Sequence, residues 1–164
     1  MASLLAATGC RFDGFPPLAI HWCDTLAPRV SDLEIDEHHT VEDVAICLGT
    51  AMRQAVGNKF GIGRYGFLLP MDESEERVAL DLLGRAAFQF RGEFPRDAVG
   101  ELSTEMVEHF FRSLAEALGA ALHIEVEGRN TYHMVEACFK SVGRTLRQAI
   151  RRDGTELPTT KGAL

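Results

Sequence analysis

The chain has 164 residues, 46% of them apolar, and a formal net charge of −7. That length suits one domain with a real core, and the apolar content is too high for a disordered chain. The acidic balance argues against a nucleic-acid surface, and no apolar run approaches a membrane span.

In the first thirty residues Pro16, Pro17 and Pro28 interrupt any long element, and only 18–21 and 29–35 read as strand pieces. The start carries no basic signal-peptide region. The segment DEHHTVEDVAIC (36–47) is the first with chemistry in its spacing. An α-helix places His38 and Glu42, at i and i+4, on one side, whereas His39 points roughly 100° away. An imidazole and a carboxylate so placed have metal-ligand spacing. A polar first turn, with acids near the positive end of the helix dipole, is the alternative.

Val41, Val44, Ala45, Leu48, Met52 and Ala55 recur at helical spacing over 40–56, and Gly57 and Asn58 predict a left-handed end. KFGIGRYG then reads as a loop before a strand at 67–71. Residues 77–82 and 86–90 read as strands with Gly84 and Arg85 at the turn between them, and FPRDAVGEL as a connector. Ser103 is the expected N-cap of a helix to Leu118, striped by Met106, Phe110, Leu114 and Ala117. ALHIEV alternates, with Leu122, Ile124 and Val126 on one face and His123 and Glu125 on the other. A second long helix is expected over 132–151, striped by Val135, Cys138, Phe139, Val142, Leu146 and Ala149. The tail ELPTTKGAL shows no packing signal. The cysteines, Cys10, Cys23, Cys47 and Cys138, form no CxxC pair and suggest reduced thiols in the cytoplasm.

The first and last of these helices repeat one another. A shift of 94 positions sets Val41 on Val135, Val44 on Cys138, Leu48 on Val142 and Met52 on Leu146. Glu42 meets Glu136, His39 meets His133, His38 meets Tyr132, and Arg53-Gln54-Ala55 meets Arg147-Gln148-Ala149. Two copies at so long a period predict an internally duplicated α+β domain, with sheets packed on amphipathic helices. The recurrence of a histidine and a glutamate favours metal binding over a chance cap. His109, beside Glu108, has no partner by spacing and reads as a satisfied histidine.

The blocks EIDEHHTVEDVAICLG, GRYGFLLPMDE, LDLLGR, GELSTEMVEHFFRSLA, ALHIEVEGRN, VEACFKSVGRTLRQAI and LPTTKGAL together resemble imidazoleglycerol-phosphate dehydratase of histidine biosynthesis, over 33–164. The resemblance implies duplicated half-domains of the ribosomal protein S5 domain 2-like kind, here about 18–90 and 91–164, after a divergent segment 1–32. It implies a homo-oligomer of cubic symmetry with about 24 subunits and two Mn²⁺ ions per active site, bound by residues of neighbouring subunits. The implied reaction removes water from imidazole glycerol phosphate to give imidazole acetol phosphate, the metals binding the ring as an imidazolate.

Carried over position by position, the resemblance gives one metal His21, His38 and Glu42, with His133 from a neighbour. The other takes His39, His123 and Glu136, with Tyr132 standing where the family has a histidine. Glu42 and Glu136 serve as ligands within the catalytic centre, and Asp72 or Glu73 of PMDE as the acid–base carboxylate. Arg64, Arg85, Thr159, Thr160 and Lys161 are the implied phosphate contacts. Two departures support a rival expectation, an impaired relative that keeps the fold and one metal site. One is Tyr132, a poor substitute for imidazole as a neutral ligand. The other lies before Leu33, where the family's additional strands and a substrate-contacting glutamate are not matched and 8–31 reads as a shortened, shifted remnant.

Overall fold

The computed structural model describes residues 37–159 and 161, with backbone alone at 67–71. The strand pieces expected at 18–21 and 29–35, together with His21 and Thr160, lie outside the described residues. The architecture is α+β, as expected. Its elements are helix α1 (His38–Val56), strands β1 (Tyr65–Met71), β2 (Ser74–Asp81) and β3 (Ala87–Arg91), a small hairpin of β4 (Ala98–Val99) and β5 (Leu102–Ser103), helix α2 (Glu105–Leu118), strand β6 (Ala121–Glu127) and helix α3 (Thr131–Ile150).

Four strands form one sheet in the order β1-β2-β6-β3. The first three neighbours pair antiparallel, whereas β3 runs parallel to β6. Parallel neighbours need a crossover, and α2 lies within it. Period-two alternation turns Ser74, Glu76, Val78 and Leu80 of β2 inward with Leu122, Ile124 and Val126 of β6. The outward row holds Arg77, Ala79, Gln89, Arg91 and His123.

Helix α3 covers the inner face, packing on β1 and β2. Its buried positions include Val135, Cys138, Val142, Leu146 and Ala149, five of the six in the expected stripe. Helix α1 has a different neighbour: among the described residues it packs chiefly on α2. That contact is close because residue 49 is glycine. A Cβ there would stand 2.7 Å from the Ala117 Cβ and 2.8 Å from the Leu114 carbonyl oxygen. Phe110 and Phe111 of α2 join the two layers through Phe139 of α3, with ring centroids 5.2 and 4.8 Å apart.

One patch between β2 and α3 breaks the apolar rule. Ser74, Glu76, Thr131, Ser141 and Thr145 are all buried, and their side-chain oxygens have no hydrogen-bond partner. Glu76 is 0% exposed, and burial, reinforced by Glu75, pushes its carboxyl up to about 7. Cys138 lies close enough to this carboxylate for its thiol to be raised, after burial, by Glu76 as well.

Three local expectations change. Ser103 is not the cap of α2: it ends β5, where its amide donates to Glu37 Oε1 at 3.0 Å. Thr104 takes the cap position, and its hydroxyl donates to the Arg96 carbonyl instead of the helix. The connector FPRDAVGEL contains β4 and the first residue of β5, strands too short for any periodicity to show. The tail is held rather than loose. Gly61 donates its amide to the Glu156 carbonyl at 2.8 Å, and Arg64 Nη1 donates to the Pro158 carbonyl at 2.9 Å.

Candidate metal centre

The i,i+4 spacing of His38 and Glu42 puts both on one side of α1, and the α1–α2 contact supplies a third donor that spacing could not reveal. His109 of α2 sits with its ring centroid 4.1 Å from that of His38. One ligand atom from each of His38, Glu42 and His109 lies within 4.8 Å of the others. His109 Nε2 is buried and has no hydrogen-bond partner. A buried ring nitrogen left unpaired is costly, and it fits a group that expects a Lewis acid. Two imidazoles and a carboxylate form a borderline donor set of the kind that suits Zn²⁺, Mn²⁺ or Fe²⁺. His39 diverges as expected, its ring nearly perpendicular to that of His38 at 86° and 6.3 Å away.

A second group forms where the β1–β2 turn meets the start of α3. Asp72, Glu73 and His133 again bring ligand atoms within 4.8 Å of one another. His133 Nδ1 lies 3.1 and 3.0 Å from the two Glu73 oxygens. This hydrogen bond is the main cause that raises the His133 pKa and lowers that of Glu73, with Asp72 and Glu136 adding to the pull on His133. The helix start is well formed, since the Asn130 side chain accepts from the Tyr132 amide at 3.0 Å. Tyr132 is half exposed beside His133, with ring centroids 6.1 Å apart.

The expected trio of His39, His123 and Glu136 is not brought together within one chain. Glu136 pairs with Lys140 at 2.7 Å, one turn along α3. His123 stands in the outward row of β6, opposite Ala79 of β2 and Gln89 of β3, and belongs to neither cluster. His109 is the residue that sequence reasoning passed over. The available signal was its position three residues after Met106, on the flank of a buried stripe, where an unexplained imidazole is unusual.

Among the expected phosphate contacts, Arg64 is committed internally. Its Nε and Nη2 donate to the two Asp81 oxygens at 2.6 and 2.9 Å, and this pairing raises its pKa. Its third donor holds the Pro158 carbonyl, so the guanidinium clasps the segment that carries Thr159 and Lys161. Thr159 Oγ1 accepts from the Lys161 amide at 3.1 Å, and Lys161 is exposed. Arg85 is exposed on the turn after β2.

A family model described as imidazoleglycerol-phosphate dehydratase matches residues 23–146, starting upstream of the expected boundary at 33. The histidine biosynthesis bifunctional protein HisB of Legionella pneumophila is 57% identical over 133 residues, covering 81% of this chain and 38% of its own. The HisB of Stenotrophomonas maltophilia is 59% identical over 133 residues, covering 81% and 37%. The chain therefore spans about two-fifths of these relatives. The crystal structure of imidazoleglycerol-phosphate dehydratase from Staphylococcus aureus matches with a TM-score of 0.69 at 36% identity, over 72% of this chain and 70% of that one. The enzyme from Pyrococcus furiosus gives 0.69 at 34% identity, over 78% and 72%.

Proposed function

The chain belongs to the imidazoleglycerol-phosphate dehydratase family, and from that premise we propose that it dehydrates D-erythro-imidazole glycerol phosphate to imidazole acetol phosphate in L-histidine biosynthesis. The observation that carries the reading is the convergence of His38, Glu42 and His109 inside the matched region. In this hydro-lyase reaction one carbon-bound proton and one hydroxyl leave as water, and the resulting enol becomes the ketone. When bound, Mn²⁺ would supply Lewis-acid polarisation and a template for the substrate's imidazole.

The chain's own residues divide the remaining work. His38, Glu42 and His109 would hold one ion. His21, His39, His123, His133 and Glu136 are offered for completing the two sites, in part across subunits of a cytoplasmic homo-oligomer. Lys161, Thr159, Thr160 and Arg85 would take the phosphate dianion, while Arg64 keeps the tail segment in place through its grip on Pro158. Asp72, exposed on the β1–β2 turn, is the candidate proton carrier.

Purified protein, loaded with Mn²⁺ and given imidazole glycerol phosphate, should release the acetol phosphate. No product at high enzyme concentration, with metal content confirmed, would overturn the dehydratase reading and leave the non-catalytic relative in its place. The Tyr132→His variant should raise both metal stoichiometry and rate if the tyrosine limits the second site.

A further inference from the structure

Glu73 is delivered to His133 by a tight hairpin turn. β1 and β2 are joined by a two-residue turn, closed by the Met71–Ser74 pair, and its first residue, Asp72, has φ +49°. Two-residue hairpin turns call for a positive φ at that position, and aspartate is one of the residues that tolerates it. The turn is tied down on both sides. Ser74 is buried directly after the turn, and Glu73 faces the start of α3, where its carboxylate accepts from the Asn130 backbone as well as from His133 Nδ1. Both carboxylate oxygens lie at hydrogen-bond distance from the same ring nitrogen.

We propose that Glu73 is a positioning residue: by accepting the Nδ1–H hydrogen bond it fixes the ring and tautomer of His133, so that Nε2 presents its lone pair outward to a divalent cation. A neutral imidazole carries its proton on one nitrogen and donates electrons from the other, so the partner of the first decides which atom can bind metal. An ionised carboxylate can only accept, which leaves Nδ1 protonated. Outer partners of this kind both orient a ligating histidine and raise its basicity. The inference rests on the assignment of His133 to a metal, and it gives Glu73 a task different from acid–base chemistry.

The test compares the intact protein with Glu73→Ala and Glu73→Gln. Nitrogen-15 NMR of the metal-free protein, above the titration of the ring, should show His133 as the Nδ1–H tautomer in the wild type. The preference should be lost in Glu73→Ala and kept in Glu73→Gln, whose amide oxygen still accepts. Calorimetric titration with Mn²⁺ should show about a 10- to 100-fold loss of affinity in the alanine variant and a much smaller loss in the glutamine variant. Thermal unfolding checks that each variant is folded.

Equal losses in alanine and glutamine variants would make Glu73 itself a ligand and overturn the proposal. So would an Nε2–H tautomer in the wild type, or an alanine variant that binds Mn²⁺ normally. None of these readouts needs substrate. A protein that passes them and yet makes no acetol phosphate refutes the dehydratase reading alone.

Discussion

Glu76 should make the stability of this protein fall as pH rises from about 4.5 toward neutrality. Its carboxyl is fully buried with neither oxygen paired, and its pKa is pushed up to about 7. The folded state therefore holds the proton more tightly than the unfolded chain, whose glutamates titrate near their ordinary value of 4.5. The neutral acid costs little below pH 4.5. Between there and about pH 7 the unfolded state gains progressively by losing its proton, and above about pH 7 the penalty is complete. Moving the carboxyl from 4.5 to about 7, at about 1.36 kcal/mol per tenfold change in proton affinity, gives a loss on the order of 3 kcal/mol. Facing groups do not offset it. Glu75, next along the strand, raises the carboxyl further, Cys138 facing it from α3 stays a thiol because burial raises it, and the β6 neighbour is Val126. Urea unfolding from pH 4.5 to 8.5 measures the effect against Glu76→Gln and Glu76→Leu. The difference between wild type and either variant should grow with pH, with the leucine variant the more stable protein at pH 8, since it also removes an unpaired polar group. Parallel pH profiles for wild type and glutamine variant would refute the reasoning.

Three further outcomes follow from the geometry. His109→Ala should weaken Mn²⁺ binding at least tenfold while leaving the Asp72–Glu73–His133 group intact, which calorimetry and the His133 ring signals can resolve together. Gly49→Ala should cost about 1–3 kcal/mol in denaturant unfolding by forcing α1 away from Ala117 and Leu114, and metal affinity should drop with it as His38 and His109 separate. Arg64→Ala strips Asp81 of its bidentate partner and Pro158 of its donor; a destabilisation of about 2 kcal/mol is expected, with faster amide exchange at Gly61 and Arg64. Unchanged exchange there would mean that the tail is held by other contacts.

The helices were legible because an amphipathic stripe is a local code: α1, α2 and α3 each start and stop within two residues of their expected bounds. Strand β6 was equally plain, since five alternating residues admit one face assignment. Strand β2 was half read, because Ser74, Glu75 and Glu76 look like a polar turn and nothing local says that a glutamate is turned into the core. The site divides along the same line. His38 with Glu42 is a within-helix relation fixed by the 3.6-residue turn. His109 reaches them through helix packing that depends on a missing side chain at Gly49, and Glu73 reaches His133 because the β1–β2 turn meets the start of α3. Relations of that kind are set by tertiary contact and leave no spacing to read.

The close approach at Gly49 also has a consequence for how the molecule comes together. His38 and His109 are about seventy positions apart, so the ends of a long loop must meet before their rings can, at an entropic cost that grows slowly with loop length. A cation held by both helices binds the docked arrangement and not the open one. At a hundred times its dissociation constant such an ion would add about 2.7 kcal/mol in favour of docking. The metal would then act as a latch on α1 as well as a reagent, and chelation should loosen that helix before it loosens the sheet.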